Sequence, residues 1–277
     1  MITTAGFKPK QVAFIPFSGF QGENLIEKTN KMPWYTGWKA NLNKDTVIEG
    51  FTLYDALEKL VKPPKRKPDA PVRIPINGIY KIKGVGDVIT GRIEQGTINA
   101  GDVVRVAPSG IDNLKVFSIE MHHKTWASAK PGDNVGMNIK GLDKNNMPKV
   151  GQVISLQKEA LLEPVDTFVV QVVIQEHPGQ LKTGFSPCVH VRTGKSACKM
   201  TKIMWKQSKK TADQKIENPE YLERGETAEI EFSPKQPLYL ESFDQCEGLG
   251  RVAVMDSNNL VMLGKVISVK YKPYKKK

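Results

Sequence analysis

The sequence predicts a mainly β protein: two consecutive all-β domains, each a closed or sandwiched sheet, behind a short α/β segment. Three observations carry this. From Pro71 onward, short runs of β-branched residues recur every ~8–12 residues with glycine turns between them. A proline- and lysine-rich stretch separates that region from residues 1–60. Residues 1–60 themselves offer one strand-like run, a long irregular loop and one helical pattern, too little to close a core.

In chain order, Val12-Ala13-Phe14-Ile15-Pro16 reads as a buried strand that runs into the polar, glycine-rich loop Ser18 to Asn24. Thr52 to Leu60 reads as a helix. Leu53, Ala56, Leu57 and Leu60 recur at i, i+3, i+4 and i+7, and Thr52 is the candidate N-cap. This segment is expected to be the last piece of an α/β domain whose beginning lies upstream. Lys62 to Asp69 holds three prolines and four cations, so it cannot continue the helix and reads as a stiff linker or, alternatively, an RNA-facing basic stretch.

In the first β region, Val72-Arg73-Ile74-Pro75-Ile76, Val88 to Ile93, Val103 to Val106 and Val116 to Ile119 are strand-like. Gly84, Gly86, Gly96, Gly101, Gly110 and Gly132 punctuate them. The second region runs through Phe168 to Ile174, Ala228 to Phe232, Arg251 to Val254 and Val261 to Val269. Lys206 to Glu223 is polar and reads as a hairpin excursion. Lys270 to Lys277 is so charged that a flexible tail is expected.

The net charge is +12 over 277 residues. Residues 1–60 contribute seven Lys against six acidic residues, about +1, which leaves about +11 for the rest. Such a field attracts polyanions: RNA, the ribosome, acidic proteins or an anionic membrane. Three cysteines, Cys188, Cys198 and Cys246, do not form a disulfide framework and fit a reducing compartment. Cys188, His190 and Cys198 are poorly spaced for zinc, and buried thiols are the better reading. Met1 to Phe7 is not a signal peptide, and no apolar run approaches ~20 residues.

Nucleotide chemistry needs a phosphate cradle that this sequence does not contain. Gly194-Lys195-Ser196 lacks the leading glycine, since Val189 stands there, and it sits among strands. Asn43-Lys44-Asp45-Thr46 lacks the acid of a guanine-reading Asn-Lys-x-Asp motif. Gly84-Val85-Gly86 precedes a strand and reads as a turn. His122-His123, read as strand residues, point to opposite faces, so at most one enters a given site.

Several strings carry a resemblance. Ser18-Gly19-Phe20-Gln21-Gly22-Glu23-Asn24 resembles the last guanine-contacting motif of translational GTPases. Met32-Pro33-Trp34-Tyr35-Thr36-Gly37-Trp38-Lys39 and Tyr80 to Val88 with Gly91 to Gly96 are similar to elongation factor 1-alpha. So are Glu120-Met121-His122-His123, Pro131 to Gly136, His177-Pro178-Gly179-Gln180 and Gly248 to Val254. In order, and over nearly the whole chain, the sequence resembles the C-terminal part of translation elongation factor 1-alpha.

The resemblance implies two consecutive antiparallel β-barrels preceded by a short α/β remnant of a GTPase domain. It divides the chain into a remnant (1–61), a linker (62–71), a first barrel (72–157), a second barrel (163–270) and a basic tail (271–277). It implies GTP-dependent delivery of aminoacyl-tRNA to the ribosomal A site, with GTP and Mg as cofactors of the full-length family. It further implies a guanine-contact remnant at Ser18, Gly19 and Phe20, and a pocket for the aminoacyl-tRNA 3′ end at Glu120, His122 and Asn134. Lys182, Arg192, Lys195 and Arg251 become contacts to the tRNA T-arm. The implied partners are aminoacyl-tRNA, the ribosome, the guanine nucleotide exchange factor of the elongation factor 1 complex, and actin. The implied location is the cytoplasm, with no membrane.

The phosphate loop, switch segments and Asn-Lys-x-Asp motif lie upstream in the family. No cofactor, metal, catalytic residue or GTP hydrolysis is therefore expected of this chain alone, and whether it acts as an enzyme stays open. Departures at Lys124, Glu176, Val191-Arg192-Thr193 and Met255 make the first barrel closer to type than the second. Two alternatives are a truncated, non-catalytic tRNA- or protein-binding module and a release or ribosome-rescue relative. The Glu-Met-His-His string disfavours the relative.

Overall fold

The computed structural model describes residues 8–41, 46–175, 177, 179–208 and 214–274. The readings made on Met1 to Phe7, Asn43-Lys44-Asp45, Glu176, Pro178 and Lys275 to Lys277 lie outside the described residues. The chain forms two compact units, Met1–Lys65 and Arg66–Lys277.

In the first unit, Trp38–Asn41 and Val47–Gly50 pair antiparallel, with Trp38 opposite Gly50. A side chain at Gly50 would run into the Trp38 indole at 2.6 Å, so glycine lets the ring lie across the hairpin. The helix Leu53–Lys59 follows. Thr52 caps it and Asp55 completes a capping box, accepting from the backbone N–H of Phe51 at 2.9 Å and Thr52 at 3.1 Å. Trp38, Ala40 and Ala56 form the small core, with Ala13, Ile15 and Leu60 against it.

Two expectations are corrected here. Val12 to Pro16 forms no strand, because no neighbouring strand supplies a hydrogen-bond ladder among the described residues; only Ser18 and Glu23 bridge. Leu57, placed by its spacing on the apolar face, is 54% exposed. The hairpin lies within what reads from sequence as an irregular loop.

The second unit holds two closed barrels of six antiparallel strands each. In the first, Asn134–Lys140, Gly86–Arg92, Ile74–Ile82, Val153–Leu156, Val103–Ala107 and Ile111–Met121 pair in that order, and the last returns to the first. Inward residues such as Ile74, Ile89, Leu114, Ile119 and Met137 are fully buried, as the two-residue period requires. The second barrel closes through Cys188–Val191, Arg251–Asp256, Asn259–Tyr271, Val165–Ile174, Thr227–Pro234 and Gly194–Gln207. Phe168 stacks on Phe232 at 5.7 Å in its core. The expected excursion is a hairpin: Ile216–Glu217 pairs with Trp205 and Lys206.

The barrels share a buried polar seam. Arg73 of the first donates from Nε to Glu241 of the second at 2.5 Å, and from Nη1 to Glu159 of the connection at 3.0 Å. The Tyr239 hydroxyl donates to the same Glu241 oxygen at 2.5 Å. Burial, and then the Glu241 charge, push the Tyr239 phenol well above its ordinary pKa, so it stays a donor. The Thr193 hydroxyl donates to the Ile76 carbonyl at 2.9 Å. A side chain on Gly151, at φ +90°, would meet the Gly194 backbone at 2.6 Å.

The flexible tail is corrected for its first residues. Lys270 and Tyr271 end a strand, Lys272 donates its N–H to the Pro164 carbonyl, and the Tyr274 hydroxyl donates to Leu162 at 2.8 Å. Lys67 and Pro68 accept hydrogen bonds from Gly96 and Thr97, which ties them to the first barrel. No helix among the described residues is long and apolar enough to cross a membrane.

Candidate functional site

An open cavity of about 740 Å³ lies on the outer wall of the first barrel. Strand register builds its floor as cross-strand rows, since residues opposite each other share a face. One row runs Ser118, Asn138, Val88. The next runs Glu120, Gly136, Thr90. Asn134, opposite Arg92, continues the same strand face. Gly136 sits mid-row, and a Cβ there would come within 3.7 Å of Val88 and 3.9 Å of the Glu120 carbonyl. Its missing side chain gives the floor its depth. The hairpin tip with Ile82 and Val85 forms one wall, and the Asn138 Nδ2 pins it by donating to the Val85 carbonyl at 2.7 Å.

His122 and His123 also line the cavity. They are not strand residues. Both have positive φ, +50° and +61°, and make the two-residue turn between Ile111–Met121 and Lys124–Trp126. A tight hairpin whose two turn residues both have φ > 0 favours Asn-Gly, and histidine pays backbone strain there. The reading that at most one histidine enters a site is thereby corrected: the turn has no alternation, and both line the cavity.

The structure thus brings Glu120, His122 and Asn134 together in one cavity. Sequence reasoning missed Asn138, Val88, Ser118 and His123 as its neighbours. The signal for Asn138 was present in the two-residue period, which places it on the same face as Asn134 and Gly136.

The second barrel's cations are arranged differently. Lys182 and Lys195 are exposed. Arg192, at φ +51°, is drawn to the seam between barrels, where Nη2 meets Glu94 at 2.7 Å and Nε donates to the Gly248 carbonyl at 3.1 Å. Arg251 pairs with Glu247 and lies 5.0 Å from the Phe243 ring. In the first unit, the Ser18 hydroxyl accepts from the Gln21 N–H at 3.2 Å and Phe20 is fully exposed.

Among the described residues, Gly194-Lys195-Ser196 does not form a phosphate cradle. Lys195 is a strand residue and the Ser196 hydroxyl is spent on the Ala197 and Gln236 backbone. Among the described residues, no three His, Cys, Asp or Glu side chains are grouped to hold a metal ion. Burial pushes the Cys198 thiol up to about 12 and that of Cys246 up to about 11, so neither is a ready nucleophile.

Comparison with known proteins agrees with this architecture. Residues 86–155 match the family described as elongation factor Tu domain 2, and residues 167–267 match the GTP-eEF1A C-terminal domain-like family. Elongation factor 1-alpha-A of Schizosaccharomyces pombe is 38% identical over 268 residues, covering 97% of this chain and 57% of that protein. Elongation factor 1-alpha of Onchocerca volvulus is 37% identical with the same coverage. Among solved structures, sup35 complexed with GMPPNP aligns at TM-score 0.68 and 25% identity, covering 92% of this chain and 58% of that one. Sup35 complexed with GDP aligns at TM-score 0.67 and 26% identity, with 97% and 62% covered. The chain spans a little over half the length of the curated relatives it matches. Each barrel matches an elongation factor family model, and the chain is similar over nearly its whole length to elongation factor 1-alpha proteins, consistent with a C-terminal part of one.

Proposed function

We propose that this chain serves translation elongation, its first barrel holding the aminoacylated 3′ end of a tRNA in the outer-wall cavity. One observation carries the reading: Glu120, His122 and Asn134, on two strands and a turn, converge with His123 on a single open cavity. The carboxylate accepts from a ribose hydroxyl or from the ligand's α-ammonium group, which it also attracts by charge. The Asn134 amide donates and accepts beside it, and the imidazoles offer flat faces and ring nitrogens. Exposed cations such as Lys182 and Lys195 supply a sequence-independent attraction for the tRNA backbone.

On this reading, residues 1–61 are the end of a GTP-binding domain with Ser18, Gly19 and Phe20 as its guanine-side loop. Residues 72–157 and 163–270 are the two tRNA-facing barrels, joined to the first part by 62–71 and followed by the basic segment 271–277. GTP-dependent delivery to the ribosomal A site, in the cytoplasm, is the role of the whole assembly. GTP and Mg belong to that assembly. The ribosome, the exchange factor of the elongation factor 1 complex and actin complete the proposed partners. Filter binding of the purified chain to charged and uncharged forms of one tRNA tests the reading. Preferential retention of the charged form supports it, and equal retention refutes it.

A further inference from the structure

We infer that a cavity between the two barrels is a second binding site, one that takes a small uncharged heterocycle whose ring carries a carbonyl beside an N–H. The site does not depend on where the aminoacyl end is placed. The cavity has a volume of about 340 Å³ and lies where Arg73 of the first barrel meets Tyr239, Glu241 and Tyr271 of the second. Leu161, 47% exposed, also lines it, so the cavity opens to solvent. Gln95 is its distinguishing residue, 4% exposed and bridged backbone to backbone with Arg73. The Gln95 side-chain amide lines the cavity with no hydrogen-bond partner among the described residues, and neither of its polar atoms is sealed from solvent. Two further groups share that condition. Arg73 uses Nε on Glu241 and Nη1 on Val72 and Glu159, and its Nη2 has no partner among the described residues. Glu241 accepts on Oε1 from Arg73 and Tyr239, and its Oε2 accepts from no group among the described residues. Buried polar groups are paired in the great majority of native structures, so three open ones around a single cavity call for a polar ligand.

Charge narrows the ligand. The lining sets Arg73 against the carboxylates of Glu163 and Glu241, and Glu159 also holds Arg73. An anion would meet an excess of carboxylate, and a cation would sit against the guanidinium. An uncharged ligand avoids both. The groups left to satisfy are a donor, Nη2, an acceptor, Oε2, and an amide that is either. A carbonyl next to an N–H pairs with this set. The Tyr239 and Tyr271 rings, stacked at 6.0 Å with 20° between their planes, add a flat aromatic surface, which favours a ring over an open-chain amide. Small-molecule sites run from ~300 to ~1,000 Å³, and this cavity lies near the low end, so a single ring fits it better than a ring with ribose and phosphate. A ligand held there touches both barrels, so binding stabilises the seam.

The probe is 1-methyluracil, whose single N–H is flanked by two carbonyls, and its control is 1,3-dimethyluracil, in which a methyl group replaces that N–H. Both are titrated into the whole chain by calorimetry, and the thermal midpoint is followed with each. 1-Methyluracil is expected to bind roughly 10-fold tighter than the control and to raise the midpoint. Gln95→Leu is expected to bring the two ligands within about twofold of each other. The same variant should leave the unliganded midpoint within about 2 °C, because the deleted amide has no protein partner. The wild-type comparison stands even where that variant folds poorly. Tighter binding of uridine 5′-monophosphate than of 1-methyluracil overturns the choice of an uncharged ligand. Equal affinities for 1-methyluracil and its control, or no binding of either at about 10 mM, overturn the site and leave the cavity to water.

Discussion

Arg73→Met removes a cation that two carboxylates share in the buried seam between the barrels. Arg73 is 7% exposed and Glu241 4% exposed. The variant leaves Glu241 with the Tyr239 hydroxyl as its donor and strips Glu159 of its Nη1 contact. Breaking one side of a buried ion pair costs about 3–5 kcal/mol, because the remaining charge stays desolvated. For a body of ~200 residues each kcal/mol moves the midpoint by about 2–4 °C, so a fall of roughly 10 °C is expected. Scanning calorimetry of the whole chain reads it. Adding Glu241→Gln should recover part of the loss, since the uncompensated charge is then gone. A fall below about 2 °C, or no recovery in the double variant, would refute the claim that this seam holds the barrels together.

Other consequences follow from single contacts. His122→Asn with His123→Gly relieves two left-handed histidines, so chemical denaturation should show about 1–2 kcal/mol more stability while affinity for charged tRNA falls. Gly151→Ala should cost about 2–4 kcal/mol by the same measurement, from its positive φ and the Gly194 backbone behind it. Backbone N–H groups of Phe51 and Thr52 hold the Asp55 carboxyl at about 2 against 3.8 for the free group. Its depressed pKa means the cap's contribution is complete above about pH 4 and is lost as pH falls through about 2. Circular dichroism on acidification should therefore show the Asp55→Asn variant losing this acid-sensitive step.

Much of the fold was readable because its determinants are local. The β-branched run at Phe168 to Ile174 and, up to Arg92, that at Val88 to Ile93 lie within strands whose alternate residues are buried, and Thr52 caps the helix in a capping box with Asp55. What escaped depended on partners distant in sequence. Val12 to Pro16 has the composition of a strand, but a strand exists only with a ladder beside it. Arg73, Glu159 and Glu241 lie in separate segments of the chain, and nothing local marks them as one cluster. Glu120, His122 and Asn134 were reached through family strings, not spacing. His122-His123 looked like strand residues because two histidines carry no turn signal. Asn138 was within reach of simple alternation from Asn134, but its unpaired oxygen becomes visible only once Val85 is seen to occupy the other half of the amide.

On the proposed function, the aminoacyl end sits on the outer wall of the first barrel. A tRNA charged with a photoreactive amino acid, cross-linked to the chain and mapped by peptide sequencing, tests it most directly. Labelling is expected within 118–138, centred on Glu120, His122 and Asn134, with suppression of that label by Glu120→Gln with Asn134→Ala. Labelling confined to 165–271, or equal labelling in the double variant, would contradict it.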